Sequence, residues 1–184
     1  MLGERIRGAK REFDLASADH QASVLALAEW FLEEEADAVA AAVTSEAPIE
    51  ARIASLLADS RRWTMQQKAS RSVGVVFAMW GEENRLRPKA ADNPRGEDSL
   101  VTKLEQLDGV TRGTPIDVRL YAVDDGCPYG SATIAAGIAG EHPLGERVKV
   151  LSLADHLPAA DGPLRNLASP DDSRKGGAVM LGAM

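Results

Sequence analysis

The residues best suited to chemistry sit in three short segments of the second half of the chain. Asp124-Asp125-Gly126 sets two adjacent carboxylates beside a glycine. Such a pair accepts N–H or O–H donors from a nucleobase or a ribose, and Gly126 lets the backbone turn sharply behind it. Lys175-Gly176-Gly177 combines a cation with two residues that let backbone approach a ligand closely. At a helix start, free N–H groups and the helix dipole add to the lysine charge, which suits a diphosphate. The third segment, Trp80-Gly81-Glu82-Glu83-Asn84, closes an apolar run. Together the first two describe a cradle for a nucleoside diphosphate, with acids at the nucleoside end and a base with glycines at the phosphates. Each also has a plainer reading: Asp-Asp-Gly as an ordinary turn, Lys-Gly-Gly as a loop-to-helix junction, Glu82 and Glu83 as a solvated helix start, and Trp80 as a core or rim aromatic. Cys127 reads as an inert small residue, and His20, His142 and His156 lack ligand spacing.

These segments need elements to position them. Ser72 to Met79 is a continuous apolar run, the pattern of a strand buried on both faces. A polar stretch from Gly81 to Glu97 follows, and Asp98 or Ser99 then caps a helix carrying Leu100, Val101, Leu104 and Leu107. Asp117 to Val123 is a second strand, Asp124 to Gly130 a turn-rich loop, and Ser131 opens an alanine-rich helix. Val148 to Leu153 is a third strand, residues 155–173 an exposed loop, and the segment after Gly177 a last helix. This alternation predicts an α/β fold with a mainly parallel sheet flanked by helices. Ligands then bind where loops converge at the carboxyl ends of the strands. All three chemical segments fall there.

Residues 1–70 read differently, as a helical N-terminal segment ahead of an α/β region over 71–184. Leu25, Ala28, Leu32, Ala36, Val39 and Val43 recur at spacings of three and four, which predicts one helix from Ser17 to Thr44 with Ser17 or Asp19 as its cap. Ser45-Glu46-Ala47-Pro48 begins another, striped by Ile49, Ile53, Leu56 and Leu57. Residues 60–71 read as a basic connector or a helix end. These helices also offer a surface for homo-oligomer formation.

Composition narrows the classes. The 184 residues carry 21 Lys and Arg against 28 Asp and Glu, a net charge of −7, which argues against a general nucleic-acid binder. One cysteine excludes an internal disulfide framework and a cysteine-cluster metal site. No apolar stretch approaches the ~20 residues of a transmembrane segment, and the N-terminus lacks a secretory pattern, so the expected compartment is cytoplasmic.

The segments Val73 to Glu83, Val123-Asp124-Asp125-Gly126-Cys127 and Arg174-Lys175-Gly176-Gly177-Ala178, in this order, resemble the opening of a family 2-type glycosyltransferase with the GT-A fold. There a hydrophobic strand ends in Pro-x-Tyr-Asn-Glu and is followed by Val-Asp-Asp-Gly-Ser and then Gly-Lys-Gly-x-Ala. The likeness runs over residues 72–184 and leaves out 1–70. Ala78, Trp80, Gly81, Cys127 and Arg174 depart from the pattern. The resemblance implies a GT-A-like (Rossmann-like) sheet that binds a nucleotide-sugar donor, whose sugar passes to an unknown acceptor. It puts Asp124 and Asp125 against the base and ribose, with Gly126 behind them. Trp80 and Glu82, with the backbone of Met79 to Gly81, line the nucleoside pocket, and Lys175, with Arg174 and Gly176, lies near the ribose-diphosphate. It also implies a divalent Mg or Mn that offsets the leaving diphosphate. The family's Asp-x-Asp and catalytic base come later than this chain extends, so the expectation is a donor-binding, apparently truncated half. Two other classes stay open: a GT-A-like nucleotidyltransferase, whose glycine-rich loop would follow the first strand where only Gly81 stands, and a non-catalytic helical interaction module on an α/β remnant.

Overall fold

The computed structural model describes residues 1–14, 16–173 and 175–184. The chain divides into two compact units, one of Met1–Arg71 with Glu105–Ile116, the other of Ser72–Leu104 with Asp117–Met184. The sequence division near residue 70 places 105–116 in the α/β region; by contact these residues cluster with Met1–Arg71.

The first unit is helical. It holds α1 (Leu2–Gly8), α2 (Ala18–Glu33), α3 (Ala36–Ala42) and α4 (Ile49–Gln66). Ser17 caps α2 as expected, its hydroxyl accepting the His20 N–H at 3.3 Å. The single helix expected to run from Ser17 to Thr44 is two helices. The backbone turns extended at Glu34, and the Arg62 guanidinium donates to the carbonyls of Phe31 and, at 3.0 Å, Glu34. A charged donor thus takes carbonyls that a helix end leaves without partners, and the break costs little. The buried face of α2 is Val24, Leu27, Ala28 and Phe31, rotated by one residue from the Leu25–Leu32 stripe. Pro48 is the N-cap of α4, which ends at Gln66, so that most of residues 60–71 form a helix end, one of the two expected readings. Phe31, Val39, Ala51, Ala54 and Ala58 meet in one core, the alanines of α4 allowing close approach to α2.

The second unit is built on a three-stranded sheet of β1 (Arg71–Met79), β2 (Ile116–Asp124) and β3 (Val148–Ser152), in the order β1-β2-β3. β2 and β3 run parallel, with Leu120 opposite Val148 and Asp124 opposite Ser152. The crossovers pass through α5 (Ser99–Thr111) and α6 (Ser131–Glu141), and α7 (Lys175–Ala183) follows β3. The architecture is α/β with a parallel sheet flanked by helices, compatible with a Rossmann-like fold. α5 is shared between the units, its first turns belonging to the second and Glu105 onward to the first.

The central strand is β2, not the apolar β1. Leu120, Ala122 and Val123 of β2 are fully buried, whereas β1 is exposed from Arg71 to Gly74 and only half-buried from Val75 to Ala78. The apolar run was read as buried on both faces, but β1 has one neighbour in the sheet, so its apolar residues serve two different partners. Val76 and Ala78 join Val123, Leu153, Leu164, Ala178 and Leu181 in a core beneath α7, while the Phe77 ring carries the Lys103 ammonium 4.4 Å from its centre.

Glycines set the closeness of the helix packing. A Cβ on Gly182 would lie 2.7 Å from Val76 and 3.1 Å from Val123, while one on Gly137, in α6, would meet nothing within 4 Å. Gly182→Ala is therefore expected to cost about 1–3 kcal/mol through overpacking. Gly137→Ala is expected to stabilise by roughly 0.5–1 kcal/mol through helix propensity. Urea denaturation of the two variants measures both, and opposite shifts of the midpoint are the expected result.

Candidate functional site

The carboxyl end of the sheet gathers most of the chemistry-bearing residues. Asp124 is the last residue of β2, and its carbonyl accepts the Leu153 N–H at 2.9 Å. The Asp125 N–H donates to the Met79 carbonyl at 3.0 Å. The acidic pair is thereby stitched on one side to the end of β1 and on the other to the end of β3. Gly126 then turns with φ +75°, and a Cβ there would lie 2.6 Å from Cβ of Pro170. Glycine is required twice at this position, for the left-handed backbone and for the contact with the loop that leads into α7.

Both carboxylates are buried, Asp124 at 7% and Asp125 at 5% exposure. Asp124 Oδ1 accepts the Cys127 N–H at 3.2 Å. Asp125 Oδ1 is buried with no hydrogen-bond partner among the described residues. Burial, together with the Asp155 charge, raises the Asp124 pKa despite the Cys127 N–H. Burial and then the charge of Asp124 raise that of Asp125, with Lys175 pulling it down and Asp171 pushing it up. Lys175 therefore lies within electrostatic reach of Asp125.

Lys175 and Gly176 are exposed at the start of α7. The first N–H groups of that helix are partly spoken for: Gly176 donates to the Ser173 carbonyl at 3.1 Å and Gly177 to the Ser173 hydroxyl at 3.0 Å. A phosphate there would draw on the lysine and the helix dipole more than on those two N–H groups. Gly177 is a packing residue, since a Cβ on it would meet Leu153 at 2.8 Å. Arg174 lies outside the described residues.

The loop after β1 separates the roles of Trp80 and Glu82. Trp80 is half-exposed, its ring edge-on to that of Tyr129 with centroids 6.1 Å apart. An aromatic face is thus offered beside the acidic loop. The Glu82 side chain is committed inside the protein: its two oxygens take Arg85 Nη1 at 3.1 and 2.9 Å, and Arg85 Nε goes on to Glu97 at 2.9 Å. Its contribution to the site is its backbone, whose N–H donates to the Ser131 hydroxyl at 3.1 Å.

Two residues outside the predicted set hold the loops together. Cys127 Sγ accepts the N–H groups of Gly81 at 3.2 Å and Tyr129 at 3.4 Å and lies 3.1 Å from the Ser131 hydroxyl. Rather than an inert small residue, the thiol is the junction between the loops after β1 and β2. Burial pushes its pKa up, but the hydrogen bonds from Ser131, Gly81 and Tyr129 outweigh burial and bring it below the ordinary thiol range. Ser131, at the first turn of α6, is fully buried. The only sequence signal for either was their position in the loop between a strand and a helix.

Comparison with family models, curated proteins and solved structures finds no match to this chain. Among the described residues no three His, Cys, Asp or Glu side chains converge to hold a metal ion. No described helix is long and apolar enough to cross a membrane.

Two outcomes follow from the electrostatics. Folded Asp125 holds its proton more tightly than an unfolded aspartate, so the native state binds more protons between the ordinary and the raised pKa. Stability contributed by this group falls as pH rises through that interval and stays reduced above it. Asp125→Asn is expected to melt above the wild type at neutral pH, the difference shrinking as pH drops through the carboxylate range; melting curves from acid to neutral pH test this. Cys127 is expected to react with iodoacetamide at neutral pH faster than an unstructured cysteine, and Ser131→Ala to slow it, read by mass spectrometry.

Proposed function

We propose that the second unit binds a nucleotide-sugar donor as the donor-binding part of a GT-A-like, family 2-type glycosyltransferase, which passes the sugar to an acceptor hydroxyl. The observation that carries this reading is Asp125: a buried carboxylate oxygen without a donor, at the end of the central strand of a parallel sheet, with Lys175 within reach of its charge. Desolvating a carboxylate and leaving an oxygen unfilled is costly. A ligand N–H or O–H removes that cost.

The residues divide the work by chemistry. Asp125 accepts from the base or ribose, and Asp124, occupied by the Cys127 N–H, shapes the loop that presents it. Trp80, with the Tyr129 ring nearly perpendicular to it, gives an aromatic surface for the base. Lys175 meets the diphosphate at the positive end of α7. The divalent metal of the resemblance finds no ligand set among the described residues, and no step is assigned to it.

Calorimetric titration of the chain with UDP-, GDP- and ADP-sugars, with and without Mn²⁺, tests the reading. One of these is expected to bind, and Asp125→Ala and Lys175→Ala each to weaken it about tenfold or more, the scale of one charge-assisted hydrogen bond. Lys149→Ala, exposed on β3, is expected to leave binding unchanged. Absence of binding at millimolar ligand by a folded protein overturns the proposal.

A further inference from the structure

The helical unit contains a cleft that the nucleotide reading does not use. It has a volume of about 510 Å³ and opens between α1, α2 and the start of α4, within the range of small-ligand sites. Gly8, Ala9, Ala26 and Leu27 give it an apolar side, Met1, Glu4, Arg5 and Ser23 a polar one, and Glu50 also lines it. Glu50 is 3% exposed. One of its oxygens, Oε2, accepts the Lys10 N–H, while the Glu50 N–H returns to the Lys10 carbonyl at 3.3 Å. The other, Oε1, is buried with no hydrogen-bond partner among the described residues. The Lys10 ammonium stands 3.8 Å from it, beyond hydrogen-bond distance, on a side chain 38% exposed.

The group is an ion. Burial raises its pKa, but the Ser23 hydroxyl, the Lys10 N–H and the charges of Lys10 and His20 outweigh burial and hold it below the ordinary value. The cations on the cleft wall are engaged elsewhere: the Arg5 guanidinium lies 5.4 Å from the centre of the Trp30 ring, and the Met1 ammonium pairs with Glu4 at 3.4 Å. An ionised carboxylate oxygen without a hydrogen bond, on a cleft with one apolar side and with its nearest ammonium 3.8 Å away, suits a charged N–H donor carried on an apolar stem.

We propose that this cleft binds a primary ammonium group on a short alkyl stem, the ammonium donating to Glu50 Oε1 and the stem lying against Ala26 and Leu27. The same chemistry belongs to a small alkylamine and to a lysine side chain. The site is independent of the nucleotide reading, in a different unit of the chain, so either can fail without the other.

The test is a protein-observed NMR titration of the full chain with ethylamine, n-propylamine and n-butylamine. Shifts are expected at Ala26, Leu27 and Glu50, with affinity rising about fourfold per methylene, the yield of burying one CH₂. Tetramethylammonium, which has no N–H, and n-butanol, which has no charge, are expected not to bind there. Nα-acetyl-lysine methylamide separates the sources: binding equal to n-butylamine points to a lysine side chain, and exclusion to a free amine. Lys10→Met is expected to tighten binding by removing the competing cation. Glu50→Gln is expected to abolish it. Because Glu50 also ties α4 to Lys10, Gly8→Phe supplies a second variant that fills the cleft with the carboxylate intact, in a place where a Cβ meets nothing within 4 Å. Affinity indifferent to chain length, equal binding of butanol, or binding that survives both Glu50→Gln and Gly8→Phe in folded protein overturns the proposal.

Discussion

Two backbone hydrogen bonds fix the second unit's chemistry in place: Asp125 N–H to the Met79 carbonyl and Leu153 N–H to the Asp124 carbonyl. They extend the sheet pairing one step past the ends of the strands. Without them a loop of two acids and a glycine would swing into solvent, where both carboxylates would be hydrated. With them, Asp124 and Asp125 are held at the middle of the sheet edge, in surroundings that disfavour their charge. Side chains in that state are poor contributors to stability and good receptors for donors. Gly126 completes the constraint, since its contact with Pro170 ties the loop before α7 to the acidic turn.

Around that point three neighbouring side chains are occupied. Glu82 is neutralised by Arg85, which is shared with Glu97. The Cys127 sulfur gathers N–H groups from two loops. The Ser131 hydroxyl serves both the thiol and the Glu82 N–H. Asp125 differs from these three because one of its oxygens, like Glu83 Oε2 in the loop after β1, is buried with no hydrogen-bond partner among the described residues.

The strands and helices of the second unit were legible because each is short, apolar and bounded by polar turns; the segments from β1 to α7 fall close to where alternation and capping residues put them. The convergence of the acidic turn with Lys175 was legible for the same reason, since a parallel sheet delivers every such loop to one end. Three things were not. The order of burial between β1 and β2 depends on how many neighbours each strand has, which the apolar run of β1 does not reveal. The break after Glu33 depends on Arg62, distant in sequence, supplying donors to the helix end. The roles of Cys127 and Glu82 depend on backbone N–H groups and an arginine whose directions no spacing rule encodes.

The shared helix bears on how the molecule can be taken apart. From Glu105 onward α5 belongs with the N-terminal helices, where the Val110 carbonyl accepts from Arg61 and from the Thr64 hydroxyl and Gln106 meets Gln21. A cut at residue 70 would not release a self-contained sheet domain. It would strip the far half of a crossover helix of its partners and expose the carbonyl and amide groups that now face them. The far half of α5 thus belongs to the packing of the helical unit, and an excised helical unit has to include residues 105–116 as well as 1–71.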